Sequence, residues 1–326
     1  MRTPKPGELI LLMLGSLGLF LVLGEMGLRL YLRRHIFYDV EMSRYALTLK
    51  VDSPNPLIGH HHKPNQDAQL MNVLVRTNSD GFRDDEYPIA KGPRRRIIFL
   101  GDSLTFGWGV EQEQTFEHVI EQELNAQAPT EVINLGVGNY NTTQEVHLFI
   151  DKGLKYHPDQ VVVFYFINDA EPAPQKSRFP WLGEFRIVTF YWSRIKALAA
   201  RISASPDFRE YYSGLYRGDQ EGWSRTKAAF LTLKKVCADE GIDLRVVLLP
   251  ELHQLRNYPF AREHALITKF LRENDIPVRD LAPFFRHEED PHTLWVSSDD
   301  AHPNARAHLL IAEYTLDFLR VNPSPE

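Results

Sequence analysis

Five short apolar runs rich in Val, Ile and Leu constrain this chain most: RRIIFLG, EVINLG, QVVVFYFIN, IDLRVVLLP and IPVRDLA, between Arg95 and Ala282. A strand with one wet face alternates apolar and polar residues, whereas these runs are nearly continuous and so read as strands buried on both faces. Between them lie amphipathic stretches such as FEHVIEQELNA, TTQEVHLFIDKGL and the segment through Ala228 to Ala238. Strands alternating with helices predict a parallel sheet covered on both sides, an α/β fold arranged as a three-layer α/β/α sandwich. The 326 residues, 43% hydrophobic and 25% charged, suffice for one main core with appendages.

The first appendage is N-terminal. Leu9 to Gly24 is an uninterrupted apolar run, and continuing it to Leu32, before Arg33 and Arg34, gives the roughly 20 residues a bilayer requires. The sequence LGEMGLRL after the apolar core lacks the small-residue pattern of a cleavage site, so an uncleaved signal anchor is expected over residues 1–34. Glu25 and Arg29, four apart, stand on one helical face and can pair or sit at the membrane boundary. Arg2 and Lys5 precede the span while Arg29, Arg33 and Arg34 follow it, so charge alone leaves the orientation open.

Residues 35–93 form a lead-in segment rich in Pro, Asn, His and Asp. Its alternating run Leu70 to Arg76, followed by Asn78-Ser79-Asp80-Gly81, predicts a strand and a turn. His60, His61 and His62 are consecutive, and adjacent residues do not converge on one ion, so an exposed loop is expected there and no metal. The main domain takes residues 94–326, with an insertion at about 170–226. Within the insertion, FRIVTFYWSRIKALAARI reads as an amphipathic helix with Phe185, Val188, Trp192, Ile195 and Ala199 on one side. That helix is a candidate lid or membrane-facing element, or a cover for the core.

A net charge of −6, without a basic stripe, argues against nucleic acid as a partner. The single cysteine, Cys237, excludes an internal disulfide framework and a cysteine-based zinc site. No other group of His, Asp and Glu has metal-ligand geometry, and no cofactor is expected.

The first strand stops at Gly101-Asp102-Ser103-Leu104 and passes through Gly107 and Gly109 towards a helix. Carboxyl ends of buried parallel strands are where α/β sheets place their ligands, so Ser103 stands at a functional edge. Towards the other end of the chain, DDAHPN at 299–304 offers two carboxylates and an imidazole. With the intervening blocks INLGVGNYNTTQE and FYFINDAEP, these motifs resemble the SGNH (GDSL) family of serine hydrolases over roughly residues 94 to 326. The resemblance implies an SGNH, flavodoxin-like arrangement of the sandwich.

A serine nucleophile needs a base within hydrogen-bond reach and a third group to hold that base. Ser103, His302 and Asp299 supply these, the D-x-x-H spacing suiting a turn in which Asp299 folds back to the imidazole. Asp300 is adjacent, but the family pattern places the acid three residues before the histidine. The resemblance also implies an oxyanion hole made from the Ser103 N–H, a backbone N–H at Gly138 or Asn139, and the Asn168 side chain. Two departures stand out. Phe166 occupies a glycine position of the third block, and Asn139 one of the second, where asparagine tolerates left-handed backbone better than most residues.

With the anchor, the resemblance implies a single-pass, membrane-anchored serine esterase, its domain outside the cytoplasm. Its substrate would be O-acyl esters, acetyl foremost, of an exported or surface polysaccharide, or a small ester, by hydrolysis or acyl transfer. A lipase or thioesterase using 185–202 as a lipid-facing element is an alternative. Another is a non-hydrolytic partner in an exopolysaccharide or acyl-transfer membrane complex, docked on a membrane protein.

Overall fold

The computed structural model describes residues 5–32, 34–173, 180–202, 207–218 and 220–320. The chain forms two compact units, one from residues 1–48 with 176–205 and the other from residues 49–175 with 206–326.

In the first unit, α1 (Pro6–Leu32) is long and apolar enough to cross a membrane, and none of its residues is buried by protein. It is accompanied by α2 (Tyr38–Leu49, whose last residue belongs to the second unit) and by α6 (Arg186–Ile202). Glu25 and Arg29 do pair, at 2.7 Å, and Glu25 does more than that. Its carboxylate accepts the backbone N–H groups of Arg186 at 2.9 Å and Ile187 at 2.8 Å, two donors that a helix start leaves without intrahelical partners. A negative charge there also complements the helix dipole.

The expected apolar side of α6 is not its covered side. Trp192 and Ile195 are exposed with Tyr191 and Leu198, as is Phe185 just before the helix, whereas Ile187 reaches Gly24 and Phe190 meets Phe37 edge-on at 5.3 Å. Glu25 fastens the start of α6 to α1. The remainder of the insertion includes 174–179, 203–206 and 219, which lie outside the described residues.

The second unit begins with two small ribbons. β1 (Lys50–Asp52) pairs antiparallel with β2 (His60–His62), and β3 (Asp67–Leu70) with β4 (Val73–Arg76). The three histidines are therefore in a strand rather than an exposed loop, and His62 is buried. The run from Leu70 to Arg76 is not one strand but the tip of a hairpin. Met71 and Asn72 both take positive φ, 49° and 62°, the backbone of a two-residue turn usually signalled by Asn-Gly.

The central sheet follows, with β5 (Arg95–Gly101), β6 (Thr130–Asn134), β7 (Gln160–Tyr165), β8 (Asp243–Leu248) and β9 (Val278–Asp280). All are parallel, in the order β6-β5-β7-β8-β9. The chain winds to one side of β5 and then to the other, so β5 sits at the topological switch point, where a crevice opens outside the strand ends. Ile97, Phe99, Val162, Phe164 and Val247 pack on one face of the sheet, and Ile98, Leu100, Val161, Val163 and Val246 on the other. Successive side chains alternate between faces, which is why the runs needed to be apolar at every position.

The helices of this unit are α3 (Ser103–Phe106), α4 (Phe116–Asn125), α5 (Thr142–Leu148), α7 (Phe208–Leu215), α8 (Glu221–Glu240), α9 (Ala261–Glu273), α10 (Ala282–Phe285) and α11 (Ala305–Leu319). A last ribbon, β10 (Trp295–Ser297) with β11 (Asp300–Pro303), precedes α11.

Candidate active site

β5 ends in a sharp reversal. A Cβ on Gly101 would stand 2.1 Å from Thr105 Oγ1 and 3.1 Å from the Phe164 carbonyl, so only glycine lets the strand turn this tightly into α3. Asp102 caps that single turn, its Oδ1 accepting the Leu104 N–H at 2.8 Å, and Gly107 closes it at φ +79°. Ser103, 6% exposed, is thereby held at the head of the turn.

The base arrives from the far end of the chain. His302 Nε2 lies 2.8 Å from Ser103 Oγ, and His302 Nδ1 lies 2.6 Å from Asp300 Oδ1. Here the geometry corrects the sequence expectation. Asp299, expected to hold the imidazole, accepts a hydrogen bond from Ser297 Oγ at 2.7 Å instead, while Asp300 takes the place beside His302. The reason is local: residues 300–303 are a strand rather than a turn, and in a strand residues two apart share a face.

Asp300 is 5% exposed and both its oxygens are occupied, Oδ2 by the Trp108 Nε1–H at 3.0 Å. Burial works to raise the Asp300 carboxyl. Hydrogen bonds and charge from His302, with the Trp108 N–H, outweigh it and hold the carboxyl below its ordinary value. Trp108 was not singled out from the sequence. The only signal was its place between Gly107 and Gly109, immediately beyond the serine turn.

The other expected donors surround this turn. Asn168 lies in a short 3₁₀ turn after β7, and its Nδ2 donates to Asp102 Oδ2 at 3.1 Å. Asp102 thus braces both the serine turn and Asn168. Phe166 packs against the cores on both faces of the sheet.

The loop after β6 is fastened to β5 by the Val137 N–H, which donates to the Gly101 carbonyl at 3.1 Å. It then closes a tight turn from the Tyr140 N–H to the Val137 carbonyl at 3.2 Å. Asn139 is the third residue of that turn at φ +64°, a position that favours Gly or Asn. Gly138 directs its carbonyl oxygen at Lys50 Nζ, 2.7 Å away.

Behind these groups the polar atoms are buried and acidic. Burial raises the Asp102 carboxyl, opposed by its bonds to Leu104 and Asn168. Burial and then the nearby acids push Glu145 and Asp169 well above their ordinary values. Neither Glu145 oxygen has a hydrogen-bond partner among the described residues. Among the described residues no cluster of His, Cys, Asp and Glu has the makings of a metal site.

Comparison with known proteins identifies the family. Residues 99–310 match the GDSL-like Lipase/Acylhydrolase family. The fold is similar to Axe2, an acetylxylan esterase from Geobacillus stearothermophilus, with 14% identity over 72% of this chain and 98% of that one, at a TM-score of 0.47. It is also similar to the acetyl xylan esterase AlAXEase, with 16% identity over 69% and 100% of the two chains, at a TM-score of 0.45. No curated protein matches the chain. Since the matched span holds both the strand-end serine and the histidine block, the chain belongs to the GDSL-like lipase/acylhydrolase family and is an ester-hydrolysing serine hydrolase.

Proposed function

We propose that this chain is a membrane-anchored esterase that removes or transfers short O-acyl groups, acetyl foremost, on an exported or cell-surface polysaccharide. The observation that carries the chemistry is the unbroken line from Ser103 Oγ through His302 to Asp300, at 2.8 Å and 2.6 Å. Ser103 attacks the ester carbonyl as His302 Nε2 takes its proton, and Asp300 steadies the imidazolium through Nδ1–H. The oxyanion of the tetrahedral intermediate is met by the N–H groups of Ser103 and Asn139 and by the Asn168 amide. Asn139 is the better donor of the two candidates in its loop. The Gly138 carbonyl is turned to Lys50, and in a trans peptide the N–H that follows points the opposite way. Collapse expels the alcohol with the proton from His302. Water or a sugar hydroxyl, deprotonated by the same imidazole, then takes the acyl group from Ser103.

The anchor reading rests on α1, 27 residues long and about 40 Å at 1.5 Å per residue. The polysaccharide reading rests on that anchor and on the family resemblance, because a fixed enzyme suits a substrate presented at the same surface. The exposed Tyr191, Trp192, Ile195 and Leu198 on α6 give the same unit an interfacial face.

The test is fluorophosphonate labelling of the full chain in detergent, read by intact mass, beside Ser103→Ala, followed by an ester series from acetate to octanoate. One adduct that requires Ser103, with turnover falling as the acyl chain lengthens, is expected. Rising turnover on long chains would replace this reading with a lipolytic one, and no adduct and no turnover would end the hydrolytic reading.

A further inference from the structure

Lys50, the first residue of β1, points its ammonium at the loop that carries Asn139. Nζ lies 2.7 Å from the Gly138 carbonyl oxygen and 2.9 Å from Asn139 Oδ1, and His60 Nε2, from the paired strand, lies 3.4 Å from the same carbonyl. The Gly138 carbonyl and the Asn139 N–H are two ends of one peptide group. A cation at the oxygen end draws electron density through that amide and makes its N–H a stronger donor, and hydrogen bonds in a low-dielectric interior reinforce one another in this way.

We propose that Lys50 is a positioning residue of the reaction, which aims and polarises the Gly138–Asn139 peptide so that the Asn139 N–H meets the developing oxyanion. The proposal rests on the esterase reading of Ser103.

Two observations speak against a role in folding alone. Burial pushes the Lys50 ammonium down to about 7, so the fold works against its charge rather than profiting from it. An apolar side chain of similar length would avoid that cost. Asn139 also holds φ +64°, a backbone that a non-glycine residue adopts at a cost, and the contact of Lys50 with its side-chain oxygen and with the preceding carbonyl fixes the turn in that form. The ribbon ahead of the main domain thus contributes to the site without touching the substrate.

The experiment compares the full-length wild type in detergent with Lys50→Met and Lys50→Arg, reading kcat and KM on p-nitrophenyl acetate together with the thermal midpoint. Lys50→Met is expected to lower kcat about 10- to 100-fold, in the range of a weakened oxyanion donor, with KM within about twofold and the midpoint not lowered. Lys50→Arg, which keeps the charge, is expected to recover a large part of kcat. The proposal is overturned if kcat in Lys50→Met stays within about twofold of wild type, or if KM rises while kcat holds, since uniform substrate binding would then be the role. Should Lys50→Met melt early, Lys50→Arg decides: a folded Arg variant with kcat about 10-fold or more below wild type overturns the polarising role. A wild type that neither turns over the ester nor labels at Ser103 would sink the esterase reading itself, a result distinct from an active wild type matched by an equally active Lys50→Met.

Discussion

The two halves of the active site are held in opposite ways. On the triad side, Ser103, His302 and Asp300 bond directly to one another, and Trp108 adds an N–H to Asp300 from outside the line. On the proposed oxyanion side the donors, among the described residues, do not bond to one another. Two of them are braced from behind by an ionisable group, Asn168 by the buried Asp102 and the Gly138–Asn139 turn by the half-buried Lys50. A group that must move a proton needs its partners in line, whereas a donor that only has to point is held by residues the substrate never meets. Damage to the triad half should therefore be confined to the residues in the line, and damage to the oxyanion half should spread to its supports.

The sharpest way to break this contrast is at the paired aspartates. Asp300→Asn leaves the shape of the site and removes the charge that holds the imidazole, and kcat is expected to fall about 10²- to 10⁴-fold, as for loss of a triad acid. Asp299→Asn, one residue away and bonded to Ser297, is expected to stay within about twofold of wild type. Steady-state rates on p-nitrophenyl acetate decide it. Equal losses in the two variants would mean that the carboxylates share the imidazole and that the line is not the closed unit described.

The next effect is on the other side. Asn168→Ala removes one donor, and kcat is expected to fall about 10²- to 10³-fold with little change in KM. Asp102→Asn, which leaves Asn168 in place but swaps its acceptor for an amide, is expected to give a smaller loss in the same parameter. If Asp102→Asn raises KM and spares kcat, Asp102 does not act through Asn168 and the bracing picture fails on that side.

What the sequence disclosed follows the same division. The sheet was legible because a strand buried on both faces must be apolar at every position, and the five runs between Arg95 and Ala282 have no other use for that pattern. Ser103 and His302 were legible because each stands in a block with its own punctuation. The acid was misplaced by one residue because a spacing alone does not say whether 299–302 is a turn or a strand, and only strand periodicity puts Asp300 beside His302. Lys50 and Trp108 were illegible for a different reason. Both act across large sequence separations, 88 residues from Lys50 to Gly138 and 192 from Trp108 to Asp300, and no local spacing signals either contact. The covered face of α6 escaped because its partners are distant in sequence, Ile187 against Gly24 and Phe190 against Phe37.

The smallest expected effect tests whether the triad half also depends on a support, one that acts on stability rather than rate. His308 lies one turn into α11, the helix that follows the His302 strand and is capped by Asn304, whose Oδ1 accepts the Ala307 N–H at 3.1 Å. Its Nδ1 accepts the Phe116 N–H at 3.0 Å, and burial, with the charges of Arg83 and His302, pushes its pKa down to about 3. In the unfolded chain the same imidazole takes a proton near its ordinary value of about 6.5. Between these two values the unfolded state binds the extra proton, so stability is full above about pH 6.5 and falls as the pH drops towards 3, by an amount of order a few kcal/mol. His308→Gln, which offers Phe116 an amide oxygen and does not titrate, is expected to lie slightly below wild type in thermal midpoint at pH 7.5 and to lose less of it on acidification to pH 4.5. The ratio of kcat at the two pH values is expected to be the same in both proteins while they remain folded, since His308 takes no part in the proton transfer. A variant that melts in parallel with wild type across this range would remove His308 as the acid-sensitive support. A changed kcat ratio would show instead that the triad half, like the oxyanion half, is tuned by a residue outside its line.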